Sequence, residues 1–138
     1  MLLDRHGQPM VVRALVMDFD GVHTDNRVLV DADGNESVVC SRADGRGIEL
    51  LREAGIAMLV VTREVDGPAK TRCVKLGLDC ASGITDKLNV LDTWLVSRGI
   101  SRAECCYIGN DIDDIPCLSV VGHPYAPGDA HDKVKRTN

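Results

Sequence analysis

The chain has 138 residues, of which 44% are hydrophobic and 27% are charged, so we expect one core and a single domain over residues 1–138. The net charge is −5, from 16 Lys and Arg against 21 Asp and Glu, and no basic run occurs. Nucleic acid and anionic membrane surfaces are therefore not expected partners. The chain has no membrane-length apolar stretch, and charged Asp4 and Arg5 follow Leu2-Leu3 where a signal peptide would be apolar. We therefore expect a soluble, cytoplasmic protein.

The six cysteines lie in or beside apolar runs, and no CxxC pattern occurs. Only four histidines are present. We therefore expect buried free thiols rather than a disulfide framework or a structural zinc site.

The predicted elements alternate between strands and helices. An apolar run at Val11–Asp18 predicts a buried strand that ends in a carboxylate, and a β-hairpin is expected over about residues 26–41. The later elements are, in order, helix 44–54, strand 56–62, helix 68–76, strand 78–81, helix 86–97, strand 105–108, helix 114–120, strand 124–126 and a helical turn after Asp129. This alternation predicts an α/β protein with a doubly wound, Rossmann-like parallel sheet and right-handed crossovers.

Polar side chains recur where these strands end, and such ends form the functional crevice of doubly wound sheets. The residues concerned are Asp18, Asp20, Thr62, Asn110 and Asp111, joined by Lys87 at the start of the long helix. Each residue type also has an ordinary structural explanation, such as an acidic helix start over residues 110–114. Their occurrence together, in order, favours a shared phosphate site.

Such a set permits phosphoryl transfer through an aspartyl-phosphate. Asp18 would attack phosphorus, Asp20 would act as general acid and base, Thr62 would bind phosphoryl oxygens and Lys87 would neutralise charge. Hard oxygen ligands on Asp18, Asn110 and Asp111 suit Mg²⁺.

The segments VMDFDGVHTD, VVT, TDKL and YIGNDIDDIP resemble the four motifs of the haloacid dehalogenase (HAD) superfamily. The hairpin, SRADGRGIELLREAGI, KLGL and VGHPYAPGDAH resemble its small C0 branch. That branch holds 3-deoxy-octulosonate 8-phosphate (KDO 8-phosphate) phosphatases, nonulosonate 9-phosphate phosphatases and the C-terminal domain of CMP-sialic acid synthetases.

The resemblance implies roles for particular residues. Asp18 would be the nucleophile and a Mg²⁺ ligand, and Asp20 the acid and base that also lends its carbonyl to the metal. The implied phosphate ligands are Thr62 and Lys87, the remaining metal ligands Asn110 and Asp111, and a supporting acid Asp114. It also implies a homotetramer whose associated hairpins replace a cap domain and help to close neighbouring active sites.

The chain departs from the family pattern at several places. Asn110 stands where octulosonate phosphatases have Asp, which removes one negative charge at the metal. Glu64 resembles the nonulosonate branch and favours a nine-carbon acid sugar, although a surface ion-pair role is equally open.

Other expected substrate-site residues are Arg42, Asp44, Gly45 and Arg72. Arg42 is displaced by one residue from the family's Arg-Asp-Gly, and Arg72 has a solvated helix position as its alternative. His23, where relatives carry an apolar residue, is expected in the site wall, with direct participation in the chemistry as the less favoured alternative. Relatives usually continue past the position of Asn138 with a Gly-rich tail; the chain is either naturally short or lacks that tail.

The leading hypothesis is a Mg²⁺-dependent phosphatase acting on a nonulosonate 9-phosphate or KDO 8-phosphate. The alternative is a weakly active or inactive tetramerisation module linked to CMP-sialic acid synthesis, which Asn110 favours and the Asp18 and Asp20 pair does not. A response-regulator receiver is disfavoured because receivers lack an acid two residues after the phosphorylated Asp.

Overall fold

The computed structural model describes residues 2–3 and 6–137. The strands are β1 (Leu2–Leu3), β2 (Pro9–Met10), β3 (Ala14–Met17), β4 (Leu29–Val30), β5 (Glu36–Ser37), β6 (Ala57–Val61), β7 (Asp79–Ala81), β8 (Cys105–Ile108) and β9 (His123–Tyr125). The α-helices are α1 (Arg42–Glu53), α2 (Pro68–Leu76), α3 (Lys87–Arg98), α4 (Ile115–Leu118) and α5 (Asp132–Thr137). Short 3₁₀ helices at Arg102–Glu104 and Ile112–Asp114 precede β8 and α4.

Five of the strands form one parallel sheet in the order β7-β6-β3-β8-β9. The central strand β3 pairs with both neighbours, Ala14 lying opposite Ala57 of β6 and Cys105 of β8. Because the strands run in one direction, their carboxyl ends share one edge of the sheet. The predicted class, a doubly wound α/β sheet, is confirmed.

The hydrophobic core lies on both faces of this sheet. Ala14 and Val16 of β3 face a cluster with α3, α4 and α5, whereas Leu15 and Met17 face a cluster with α1 and α2. All four β3 residues are buried, which explains why this strand is a continuous apolar run rather than an alternating one.

Two of the predicted helices differ noticeably from those in the structure. Helix α1 begins at Arg42 rather than Asp44, because Ser41 is extended and its Oγ accepts the Ala43 N–H at 3.2 Å. The helix predicted over 114–120 is instead a 3₁₀ turn followed by the short α4.

Beyond the main sheet the chain forms two small antiparallel pairs. The pair β1–β2 was not predicted, and the predicted hairpin pairs only through β4 and β5. Asp31 Oδ1 accepts the N–H groups of Asp33 and Asn35 at 2.9 Å each and so fixes the hairpin turn.

No helix in the described residues is both long enough and apolar enough to cross a membrane. The six cysteines are free thiols, as predicted, but only Cys73, Cys105 and Cys117 are buried, and the other three are partly exposed.

Candidate active site

The carboxyl edge of the sheet carries a cavity of about 120 Å³. It is lined by Asp18, Asp20, Asn26, Thr62, Arg63, Glu64, Lys87, Asn110, Asp111 and Asp113. The sequence-predicted nucleophile, acid, phosphate ligands and metal ligands therefore all meet in one place. This follows from the parallel topology, since β3, β6 and β8 are neighbours that end at the same edge.

Asp18 directly follows β3 and is held by the backbone. Its N–H donates to Ile108 O at 3.0 Å, and its Oδ1 accepts the Phe19 N–H at 2.7 Å. The same Oδ1 lies 3.2 Å from Lys87 Nζ. The carboxylate is therefore fixed in position beside a cation.

Lys87 is the first residue of α3. Asp86 caps the N-terminus of this helix, because its side chain accepts the Asn89 N–H at 3.1 Å. The lysine is only 2% exposed. Its Nζ lies 3.2 Å from Asp113 Oδ2 and 2.9 Å from Asp114 Oδ1, besides the Asp18 contact. Such a buried cation is tolerable only because carboxylates surround it.

The charges in this cluster shift one another's pKa values. Burial raises the pKa of Asp18 to about 7, with help from the Asp114 charge, while Lys87 opposes the rise. Burial alone would lower the pKa of Lys87, but Asp18 and the other carboxylates raise it above its usual value. Lys87 therefore stays charged.

Asp114 is fully buried and hydrogen-bonded through both oxygens. Oδ1 accepts from Lys87 Nζ at 2.9 Å and from Tyr107 Oη at 2.6 Å. Oδ2 accepts the N–H groups of Asn110 at 3.1 Å and Asp111 at 3.2 Å. Asp114 thus holds Lys87 and the loop after β8 in place, and its supporting role stays a prediction.

The loop after β8 packs closely against the loop after β3. A Cβ on Gly21 would meet Asn110 Nδ2 at 1.9 Å, and one on Gly109 would meet Asp114 Cβ at 2.5 Å. A side chain at either position would therefore force its neighbour, Asn110 or Asp114, to move. Asn110 itself is 6% exposed, and its Oδ1 has no hydrogen-bond partner among the described residues.

Asp20, Thr62 and Asp111 complete the expected set. Burial raises the pKa of the half-buried Asp20, and the Glu36 charge adds to the rise. Thr62 is 2% exposed, and its Oγ1 accepts the Glu64 N–H at 3.1 Å, which leaves the hydroxyl hydrogen for another acceptor. Asp111 is exposed, and its Oδ1 accepts the Ile112 N–H at 2.7 Å.

Of the residues expected to bind the rest of the substrate, only Glu64 lines a cavity at this edge of the sheet. Glu64 lines this cavity and an adjoining one of about 200 Å³, which Asp20 and Asn26 also share. The linings of both cavities omit four residues predicted for substrate binding, namely Arg42, Asp44, Gly45 and Arg72. Within the protomer, an Arg72 Nη donates to Ser41 O at 3.1 Å instead.

His23 is buried and stacks on Phe19, with ring centroids 5.4 Å apart. Burial lowers the pKa of His23, and the charge of Arg72 adds to the fall while Asp44 opposes it. His23 lines neither of the two cavities, so its expected place in the site wall stays a prediction.

Asp113 and Tyr107 are site residues that the sequence analysis did not assign. Carboxylate atoms of Asp18, Asp113 and Asp114 lie within 4.8 Å of one another. The sequence analysis interpreted Asp113 only as part of an acidic helix start, although an acid beside the predicted metal ligands was a usable signal. The buried contact of Tyr107 had no such signal.

The fold is a doubly wound parallel α/β sheet whose carboxyl edge carries a cluster of carboxylates around a buried lysine. A family model for haloacid dehalogenase-like hydrolases matches residues 75–138. A crystal structure of a HAD family hydrolase from Streptomyces avermitilis superposes with a TM-score of 0.89 at 40% identity, covering 94% of this chain and 75% of that one.

Two curated relatives are also similar. N-acylneuraminate cytidylyltransferase A of Danio rerio is 31% identical over 127 residues, which cover 89% of this chain and 29% of the relative. The 3-deoxy-D-manno-octulosonate 8-phosphate phosphatase KdsC of Salmonella typhi is 29% identical over 121 residues, which cover 87% of this chain and 64% of KdsC. The chain thus spans less than two thirds of either relative's length.

The chain belongs to the haloacid dehalogenase-like hydrolase family. This confirms the family resemblance inferred from the four sequence motifs.

Proposed function

We propose that the protein is a Mg²⁺-dependent phosphatase that hydrolyses the phosphomonoester of a sugar acid through an aspartyl-phosphate on Asp18. The observation that carries the proposal is the placement of Asp18, with Oδ1 3.2 Å from Lys87 Nζ, in the cavity that Asp20 and Thr62 also line. A nucleophile, an acid and two phosphate donors in one small cavity are what this reaction requires.

In the first step an Asp18 carboxylate oxygen forms a bond to phosphorus, and the bond from phosphorus to the ester oxygen breaks. Protonated Asp20 gives its proton to the leaving oxygen, and its raised pKa favours that protonated form. In the second step the Asp20 carboxylate takes a proton from water, whose oxygen attacks phosphorus and releases phosphate from Asp18. Lys87 and Thr62 hold the phosphoryl oxygens in both steps.

The residues present fit a divalent cation. Asp18, Asn110 and the Asp20 carbonyl supply hard oxygen donors, as does Asp111, and the buried Oδ1 of Asn110 has no other partner among the described residues. When bound, Mg²⁺ would neutralise charge between the Asp18 carboxylate and an anionic phosphate.

The relatives and Glu64 support a particular class of substrate. KdsC is named as a phosphatase of an eight-carbon acid sugar, and the cytidylyltransferase is named for acylneuraminate. Glu64 lines both cavities at the carboxyl edge of the sheet. We propose that it contacts sugar hydroxyls and favours a nine-carbon acid sugar over KDO.

The homotetramer expected from the sequence also belongs to this proposal. Apolar hairpin residues are exposed in the protomer, with Leu29 at 72% and Val39 at 82%. Association of hairpins would cover this surface and could bring Arg42, Asp44, Gly45 and Arg72 toward a neighbouring site. The cytoplasmic location stays a prediction.

A non-catalytic assembly module linked to CMP-sialic acid synthesis is the second candidate. The similarity to the cytidylyltransferase, which is confined to 29% of that enzyme, favours it. The complete Asp18 and Asp20 pair favours the phosphatase.

Phosphate release from KDO 8-phosphate and from N-acetylneuraminate 9-phosphate or KDN 9-phosphate, with Mg²⁺ or with EDTA, tests the proposal. We expect turnover only with Mg²⁺, none in Asp18→Asn, and higher kcat/KM for the nine-carbon esters. Glu64→Gln should reduce that preference. A folded, Mg²⁺-loaded oligomer without turnover of any of these esters would contradict the phosphatase and favour the assembly module.

A further inference from the structure

Two buried oxygen atoms beside the candidate site lack hydrogen-bond partners among the described residues. They are Asn110 Oδ1 and Asp113 Oδ1, both on the loop after β8. Both residues line the cavity that holds the Asp18 carboxylate. Buried polar oxygens without a hydrogen-bond partner are rare in proteins and indicate a bound ligand. Two such acceptor atoms in one acidic cavity indicate that the ligand is a cation.

Asp114 cannot provide the missing interaction in this cavity. Its two oxygens already accept four hydrogen bonds, from Lys87, Tyr107 and two backbone N–H groups. A metal ion bound to Asp114 would have to displace these donors. Asp113 differs, because only its Oδ2 is engaged, with Lys87 Nζ at 3.2 Å.

The Asp113 carboxylate is also held in place. The Lys87 contact anchors Oδ2, and Lys87 is fixed in turn by Asp18 and Asp114. One carboxylate atom of Asp113 lies within 4.8 Å of an atom of Asp18. A carboxylate that is already anchored loses little conformational entropy when its second oxygen binds an ion.

The charge of the loop after β8 determines how much a contact between Asp113 and the cation would add to the affinity. Asn110 contributes a neutral carboxamide oxygen, and more carboxylate ligands mean tighter binding of hard divalent cations. A nearby carboxylate with an unpartnered oxygen can supply the charge that Asn110 does not.

We propose that Asp113 is a ligand of the divalent cation, with Oδ1 binding the ion beside Asn110 Oδ1 and the Asp18 carboxylate. The inference rests on the proposed function for the presence of a cation. It adds a ligand, Asp113, that neither the four motifs nor the comparisons assign.

A charge-relocation experiment tests it. Mg²⁺ binding to the full chain is measured by calorimetry, and Mn²⁺ binding by electron paramagnetic resonance, for wild type, Asp113→Asn, Asn110→Asp and the double variant. We expect Asp113→Asn to weaken binding by about 10- to 100-fold. Asn110→Asp should tighten it, and the double variant should regain most of the wild-type affinity because the carboxylate is moved rather than lost.

Asp79→Asn is the matched control, since Asp79 begins β7 at the opposite edge of the sheet and is paired with exposed Arg98 at 2.8 Å. It should bind both ions as wild type does. Circular dichroism checks that each variant is folded. If Asp113→Asn does not fold, the metal affinity of the double variant tests the inference instead.

Unchanged affinity in folded Asp113→Asn, no recovery in the double variant, or a wild type that binds neither ion would each overturn the inference. These readouts do not depend on turnover. Phosphatase activity with unchanged Asp113→Asn affinity would leave the proposed function intact and reject only the role of Asp113.

Discussion

At the scale of single residues, Asp18 is held between opposing influences. Burial and the Asp114 charge favour its neutral form, whereas Lys87 and the Phe19 N–H favour the carboxylate. Asp18 can act as a nucleophile only as the carboxylate, so its reactivity depends on the positive charge of Lys87 beside it. A cost in stability is expected when this buried acid ionises in the metal-free protein.

Asp18→Asn should therefore show a pH-dependent gain in stability. The pKa of Asp18 rises from 3.8 to about 7 on folding, so the stability from neutral Asp18 is complete below about pH 4 and is lost as pH rises through about 7. We expect the free energy of unfolding of Asp18→Asn minus that of wild type to be larger by about 2 kcal/mol at about pH 8.5 than at about pH 5, so that the variant gains stability relative to wild type at the higher pH.

Urea unfolding in EDTA measures this difference. The pKa of Asp18 already includes its attraction to Lys87, so the loss of that contact in Asp18→Asn is part of the expected difference. Asp79→Asn, on the exposed pair with Arg98, should shift stability equally at both pH values. The same equal shift in Asp18→Asn would contradict the prediction.

Gly21 and Gly34 offer a matched pair of substitutions. Both have positive φ, +84° and +83°, but a Cβ on Gly21 meets Asn110 Nδ2 at 1.9 Å whereas one on Gly34 meets nothing within 4 Å. Gly34→Ala should cost about 1 kcal/mol from the backbone alone. Gly21→Ala should cost about 2 kcal/mol more, because Asn110 must move. Equal midpoints in urea would show that the loops separate freely.

At the scale of elements, α3 positions a site residue, whereas the hairpin exposes an apolar surface. Helix α3 needs its first residue at the carboxyl edge of the sheet, and the Asp86 cap sets that start. The hairpin has short strands whose apolar residues lie mostly exposed in the protomer. Such a surface is unusual unless another molecule covers it.

Leu29→Glu should therefore break the proposed tetramer. A charge in an apolar interface is costly to desolvate, and Leu29 is 72% exposed in the protomer. Light scattering after size-exclusion chromatography should show smaller species. Val96→Glu, at a residue of α3 that is 79% exposed, is the control and should keep the wild-type mass. A monomeric wild type, or an unchanged Leu29→Glu, would reject hairpin association.

At the scale of the whole molecule, the parallel sheet concentrates negative charge at one edge. Carboxylates of Asp18, Asp20, Asp111 and Asp113 line a single cavity with one buried lysine. Their mutual repulsion opposes folding, and a bound cation would offset it.

Mg²⁺ should consequently raise the unfolding temperature. Ligand at 100 times its Kd adds about 2.7 kcal/mol when only the folded state binds. Thermal unfolding in rising Mg²⁺, compared with EDTA, measures the gain. Asp18→Asn should lose most of the increment, whereas Asp79→Asn should keep it. An unfolding temperature that Mg²⁺ leaves unchanged would argue against a cation at this edge.

The sequence alone determined the α/β class and most of the candidate site. The apolar run before Asp18 and the regular spacing of later elements fix which residues follow strands, and parallel strands bring their ends together. Asp18, Asp20, Thr62, Lys87, Asn110 and Asp111 were found in this way. Local patterns suffice here because strand and helix periodicity are properties of short segments.

Only the tertiary structure decided which oxygens in the site are already satisfied. Asp113 and Asp114 are adjacent acids in the sequence, yet Asp114 is buried under four hydrogen bonds and Asp113 keeps one buried oxygen without a partner among the described residues. That difference arises from Tyr107, Lys87 and the path of the loop, which come from separate segments of the chain. Long-range packing of this kind leaves no periodic trace in a sequence.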